Sequence, residues 1–147
     1  MTGASATRTD LAGLVGQVVR LAGPINALMA RELMLPLNDL AALHHLVGLP
    51  PAGPAELGRR LGMSSASATV LADRLERAGY IRRRRDPSDR RRVVLEVTEA
   101  TAARSQAAIG PLVEALTTIS DSLDESAQQA VGTYLTRVIT AMANFTG

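Results

Sequence analysis

The chain reads as a mainly α-helical protein with one small β-hairpin: a helix-turn-helix followed by a wing, set between long helices at both ends. Three observations predict this. Two short helical segments meet around the glycine-containing turn Gly62-Met63-Ser64, the layout of a helix-turn-helix. Two strand-like runs, Tyr80 to Arg85 and Arg92 to Val97, follow directly and are joined by Asp86-Pro87-Ser88-Asp89, residue types that favour tight turns. Toward each end, apolar residues recur at steps of three and four.

The totals fit one folding unit. At 147 residues, 46% apolar and 20% charged, the chain is long enough to bury a core and too apolar to be a disordered tail. With 2% aromatic residues, that core has to be aliphatic. The absence of cysteine excludes disulfides, thiolate metal sites and cysteine nucleophiles. No unbroken apolar run reaches the roughly 18 residues of a membrane span, and Met1 to Thr9 lacks the pattern of a secretory leader, so a soluble, cytoplasmic protein is expected.

Taken in order, Leu11, Leu14, Val15, Val18, Ala22, Ile25 and Met29 place one apolar face on a helix from about Asp10 to Met34, with Gly23-Pro24 expected to kink or restart it. After Pro36, an Asn38 N-cap is expected to open a second helix, its stripe being Leu40, Leu43, Leu46 and Val47 up to Gly48. Pro54 suits the first position of a short third helix that ends at Leu61-Gly62. Ser64 N-caps the helix that runs to Ala78. In the hairpin, Val93, Leu95 and Val97 fall on one face. Thr98 caps a long helix to about Ser120, with Ala102, Ile109, Leu112, Val113 and Leu116 as buried candidates. Leu123-Asp124 starts a final helix bearing Ala127, Val131, Leu135, Val138, Ile139, Met142 and Phe145.

This organisation divides the chain into a flexible N-terminus (1–9), a winged helix-turn-helix (35–98) and a helical dimerisation region (10–34 and 99–147). The terminal stripes have little body of their own to cover, which points to a second copy of the chain. The alternative is that they fold back onto the central domain of a monomer.

The net charge of +2 conceals an asymmetry: residues 1–58 carry −1, residues 59–92 carry +7 and residues 93–147 carry −4. Seven arginines fall within Arg82 to Arg92. A basic module between acidic flanks is the electrostatic footprint of nucleic-acid binding. On the Ser64 to Ala78 helix, Ser64, Ala68, Leu71, Leu75 and Ala78 share the side expected to be buried, which leaves Ser65, Ala66, Ser67, Thr69 and Val70 outward at its N-terminal half. Those positions meet base edges when such a helix enters a major groove. Hydroxyls suit several base edges, and Ala66 and Val70 suit thymine methyls. Arg74 and Arg77, with Arg59 or Arg60 from the preceding helix, are placed to reach phosphates. Arg90 and Arg91, at the tip of the wing over residues 82–92, are candidates for a narrow minor groove. Asp89, an acid beside DNA, is assigned to holding an arginine by a salt bridge.

Glu56-Leu57 through Leu61-Gly62-Met63-Ser64, then Thr69, Asp73-Arg74-Leu75-Glu76, Gly79-Tyr80-Ile81, Asp86-Pro87-Ser88-Asp89-Arg90-Arg91 and Leu95-Glu96-Val97-Thr98, resembles the MarR family of bacterial transcriptional regulators. The pattern from Asp89 to Thr98 is the most specific part. The resemblance implies a homodimer joined through its terminal helices, usually a repressor of nearby genes that binds a pseudo-palindromic operator in double-stranded DNA. It implies that Arg91 enters the minor groove with Asp89 as its structural partner. It also implies release from DNA when a small, often aromatic ligand enters a crevice between the dimerisation and DNA-binding parts. Val70 departs from the pattern, since many relatives carry a basic residue there.

Other chemistries find little support. His44 and His45 are adjacent and diverge by about 100 degrees on a helix, so they are poorly placed to share a metal ion; His44 is kept as a candidate lining for a ligand crevice. No nucleophile elbow, phosphate loop or paired-carboxylate motif occurs, so no enzyme, cofactor or metal site is expected. The competing reading is an interaction module whose basic wing docks an acidic partner.

Overall fold

Asp10 begins the first helix as its side chain accepts a hydrogen bond from the Gly13 amide at 2.9 Å, and helix α1 (Leu11–Leu33) follows. The computed structural model describes residues 9–47 and 49–146. The N-terminal segment expected to be flexible lies, apart from Thr9, outside the described residues, as does Gly48. Helix α1 runs through Pro24 instead of restarting there. A proline removes a single hydrogen bond, to the carbonyl four residues earlier, and the turns on either side supply the rest. Met34, with φ of 55°, closes the helix in the left-handed conformation.

Helix α2 (Leu37–Leu46) begins one residue after Pro36, which occupies the N-cap without a side-chain bond. Asn38 therefore sits inside the first turn and is not the cap expected from sequence. The backbone of Pro36 is already extended, with ψ of 152°, so proline itself sets the entry angle. Helix α3 (Pro54–Leu61) starts at Pro54 and ends at the left-handed Gly62. Helix α4 (Ser65–Arg77) is capped by Ser64, whose hydroxyl accepts from the Ser67 amide at 3.1 Å.

Strands β1 (Ile81–Arg85) and β2 (Val93–Val97) pair antiparallel, Ile81 opposite Val97 and Arg85 opposite Val93. The expected alternation along β2 is not observed: Val94 and Leu95 are both buried and Val93 is exposed. The Leu95 amide bonds the Ala52 carbonyl at 2.8 Å, and α2 packs against β2. Residues beside those contacts are covered on either face, whereas Val93 lies toward the wing tip. Helix α5 (Glu99–Asp121) is capped by Thr98, and helix α6 (Glu125–Thr146) by Asp124, which accepts from the Ala127 amide at 2.8 Å.

The core is aliphatic, as the composition required. Leu33, Leu40, Leu57, Leu75, Ile81 and Val94 are its largest fully buried side chains. Tyr80 ties the end of α1 to this core by donating its hydroxyl to the Leu33 carbonyl at 2.7 Å. The chain forms two compact units, Met1–Ala108 and Ile109–Gly147. The stripes expected to be buried on α5 and α6 are largely exposed in the single chain, Ala102, Leu112, Leu116, Leu135 and Ile139 among them. Helix α1 matches a membrane span in length and mean hydropathy, 1.3 over 18 residues, although it holds no unbroken apolar run. Gln17, Arg20 and Asn26 interrupt it, and its last turn is packed into the core through Met29, Ala30 and Leu33.

Candidate nucleic-acid interface

The two helices of the helix-turn-helix approach closely because Gly58 has no side chain. A Cβ there would lie 3.0 Å from the Ala68 Cβ and 3.1 Å from the Met63 carbonyl oxygen. Gly62, with φ of 66°, then reverses the chain, a conformation that costs glycine little. As a result α4 buries Ala68, Leu71, Ala72 and Leu75, and it exposes Ser65, Ala66, Ser67, Thr69, Val70, Arg74 and Arg77. The outward positions are those read from the helical wheel. Three details differ: Ala72 joins the buried side, Ser64, expected to be buried, is exposed as the N-cap ahead of the first turn, and Ala78, expected to be buried, is exposed because it lies past the last turn of the helix.

The exposed hydroxyls are not equivalent. Thr69 donates its hydroxyl proton to the Ser65 carbonyl at 2.9 Å, so it presents a methyl group and oxygen lone pairs outward. Ser67 accepts from the Ser64 hydroxyl at 2.9 Å within the cap. Ser65 is exposed, and its hydroxyl makes no hydrogen bond to another described residue. Val70, 64% exposed, is the largest apolar group on this face. An open groove of about 410 Å³ runs beside it, lined by Asn38, Asp39, Met63, Ala66, Val70 and Arg74 among others.

The arginines separate into two groups. Arg74 is committed within the protein: its Nε donates to Asp39 Oδ2 at 3.1 Å, and its Nη2 bonds the other carboxylate oxygen. Arg60 is likewise occupied by the His45 carbonyl at 2.9 Å, the Pro50 carbonyl at 2.8 Å and Glu56 at 3.1 Å. Arg59 is exposed and pairs with Glu56. Arg82 and Arg84 flank Glu96 across the hairpin, at 2.8 and 3.3 Å. Arg82 heads the causes that hold the Glu96 carboxyl below its ordinary value. Arg83 bonds Asp73 and Glu76 on α4, and Arg85 donates to the Arg90 carbonyl at 2.8 Å. Arg77, Arg90 and Arg91 are exposed and form no ion pair with another described residue.

The wing turn is built from carboxylates. Asp86, buried, accepts from the Ser88 hydroxyl at 2.6 Å and the Ser88 amide at 2.9 Å, and these bonds hold its carboxyl below the usual range. Asp89 accepts from the Arg91 backbone amide at 3.0 Å. This corrects the expected role of Asp89: among the described residues it forms no salt bridge, and it orders the turn through the Arg91 main chain. Its short side chain reaches the amide two residues on more readily than a long guanidinium, as in an Asx turn. His44 lines a separate hollow of about 240 Å³ with Gly23, Asn26, Leu37, Leu40 and Ala41. Partial burial, then the neighbouring His45, lowers the His44 pKa. Among the described residues no cluster of metal-ligating side chains occurs.

Sequence reading missed Asp39, a buried acid in the first turn of α2. The only signal was that no other Asp, Glu, Lys or Arg occurs in that helix. It also missed the pairing of Asp73 and Glu76 on α4 with Arg83 on β1, which joins two different elements.

A capped helix with an exposed N-terminal face, followed by a hairpin with unpaired guanidinium groups at its tip, defines a winged helix-turn-helix DNA-binding protein. A MarR family profile matches residues 35–92. The HTH-type transcriptional regulator YcgE of Bacillus subtilis is 37% identical over 112 residues, covering 74% of this chain and 73% of that protein. The chain belongs to the MarR family of DNA-binding transcriptional regulators, which are not enzymes. The transcriptional repressor MprA of Escherichia coli K12 is 48% identical over 46 residues, 31% of this chain and 26% of MprA. The fold is shared with a MarR family protein of Bacillus stearothermophilus, at TM-score 0.60, 20% identity and coverage of 90% and 95% of the two chains. It is also shared with a Staphylococcus aureus MepR mutant bound to an oligodeoxyribonucleotide, at TM-score 0.54, 17% identity and coverage of 92% and 99%.

Proposed function

We propose that this regulator is a homodimeric, sequence-specific repressor that leaves DNA when a small ligand binds. The observation that carries this reading is the division among the arginines: those along the wing strands are bonded internally, and Arg77 at the end of α4 and Arg90 and Arg91 at the wing tip stand exposed without an ion pair among the described residues. Ser65, Ala66, Thr69 and Val70 then meet base edges in the major groove, with Ser67 in the cap beneath them. Arg77 takes a phosphate, and Arg90 and Arg91 enter the minor groove. Arg74 is a weaker phosphate candidate than its position alone implied, since Asp39 already holds it. The MepR structure with bound oligodeoxyribonucleotide and the repressor named among the relatives support the reading.

Dimerisation is supported by apolar side chains exposed in the single chain: Leu11, Leu14 and Val18 on α1, Leu116 and Ile119 on α5, and Ile139 and Phe145 on α6. Two copies covering these stripes give a two-fold protein suited to a pseudo-palindromic site. The hollow beside His44 supports a ligand of modest size, an aromatic acid being the first choice. A cytoplasmic location follows from the proposed role.

The test is binding of the full chain to duplex from its own upstream region, titrated with salt and repeated with small aromatic acids. Expected are a preference for one site, a steep salt dependence from about 6 to 10 neutralised phosphates and loss of the complex with an active acid. Equal affinity for every duplex defeats the reading. Arg91→Ala meets the competing reading: unchanged duplex binding with loss of an acidic protein partner assigns the wing to protein docking.

A further inference from the structure

We infer that Arg83 is a positioning residue that locks the wing to the recognition helix, so that α4 and the wing tip meet DNA as one rigid body. It lies in the run of arginines that makes the centre of the chain basic, but its contacts point inward. The Arg83 amide donates to Glu76 Oε1 at 3.1 Å, its Nη1 donates to Glu76 Oε2, and its Nη2 donates to Asp73 Oδ1 at 2.6 Å. Asp73 and Glu76 stand three residues apart on α4 and so share a face. One guanidinium, fixed in a plane, bridges both. With its side chain 28% exposed, Arg83 is less accessible than either neighbouring arginine, Arg82 at 55% or Arg84 at 44%.

The linkage continues to the tip. Arg83 pairs with Leu95 in the hairpin, and Arg85, two residues on along β1, holds the Arg90 carbonyl at 2.8 Å. Strand β1 is therefore tied at two points, by Arg83 to Asp73 and Glu76 on α4 and by Arg85 to the backbone of Arg90 at the tip. Carboxylates on a helix facing DNA repel phosphates, and the bridge accounts for two of them there: they orient the wing, and the shared guanidinium offsets part of their charge. Arg83 consequently sets the spacing between the major-groove and minor-groove contacts, which governs specificity more than total affinity.

This inference rests on the DNA-binding reading for its consequence but not for its mechanics, and the experiment separates them. In free full-length protein, amide exchange is measured for wild type, Arg83→Gln, Arg83→Lys and Glu76→Gln. Arg83→Gln should speed exchange across residues 82–97 at least tenfold, with the buried turns of α4 unchanged. Arg83→Lys, which keeps the charge but loses the planar fork, should do so in part. Unchanged wing exchange in both Arg83 variants overturns the lock; if Arg83→Gln does not fold, Arg83→Lys decides alone.

With DNA, Arg83→Gln should lower the ratio of specific to non-specific affinity about tenfold, or about 1.4 kcal/mol, and leave the salt slope unchanged. Glu76→Gln should do the same, and the double variant should be no worse than either. If instead the slope falls by about 0.9 per chain with the ratio intact, and Glu76→Gln tightens binding, Arg83 is a phosphate ligand and the inference fails. A wild type without site preference defeats the specific-repressor reading, and the exchange result still decides the lock.

Discussion

Arg74 on the recognition helix donates two hydrogen bonds to Asp39, a carboxylate that is 2% exposed in the first turn of α2. The two partners differ in surroundings, since more than half of the Arg74 side chain remains in contact with solvent. Arg74→Ala leaves a buried carboxylate without its guanidinium partner, whereas Asp39→Ala leaves an arginine that water can solvate. Arg74→Ala should therefore be the costlier change, by about 1–3 kcal/mol, read as the difference between the two variants in urea midpoint. Equal losses would show that the pair contributes only as a surface ion pair.

Gly58 faces α4 across a gap with no room for a side chain. Gly58→Val should destabilise the protein by about 1–3 kcal/mol through overpacking against Ala68 and the Met63 carbonyl. Gly58→Ala should lose less, because alanine recovers about 1 kcal/mol of helix propensity. Denaturant unfolding with an unchanged m-value checks both.

Val70 is exposed, so its replacement should change stability by no more than about 0.5 kcal/mol. Val70→Ala should weaken discrimination among duplexes that differ at one thymine. Val70→Arg should raise affinity for all duplexes and steepen the salt slope by about 0.9 per chain. Electrophoretic mobility shift at several salt concentrations separates these outcomes, and a flat response to both variants would remove Val70 from the interface.

Two ranges of pH dependence follow from the titrating groups. Burial lowers the folded-state pKa of His44 below its ordinary 6.5, so the unfolded chain binds the proton first as pH falls. Stability from this residue is complete above about 6.5 and declines below that value until the folded state also protonates. His44→Gln should flatten this part of the curve. Glu56, Asp86 and Glu96 are held below their ordinary values of 4.5, 3.8 and 4.5. Their contribution is present above those values and lost as the pH falls through the lower, folded-state ones. Melting temperature measured from pH 7 to pH 3 should show both declines, the second persisting in His44→Gln.

Local signals carried most of the secondary structure. Asp10, Ser64, Thr98 and Asp124 cap helices because each side-chain oxygen reaches the amide three residues on, and Pro54 and Gly62 bound α3 for backbone reasons of the same range. The error at Asn38 arose within this class, since Pro36 fixes the entry to α2 by itself. The burial of Val94 was hidden for a different reason, because it depends on Ala52 and α2, which pack against the strand from elsewhere in the chain.

The sequence by itself determined the succession of helices and hairpin, the basic centre between acidic flanks and the outward face of α4, all of which depend on periodicity, caps and composition. Only the tertiary structure decided which arginines remain available. Arg60, Arg74 and Arg83 look the same as Arg77, Arg90 and Arg91 in a one-dimensional count, and only the fold brings the His45 and Pro50 carbonyls to Arg60, Asp39 to Arg74, and Asp73 and Glu76 to Arg83. A guanidinium satisfied by a fixed carboxylate holds the protein together, and one left in water is free to meet a phosphate.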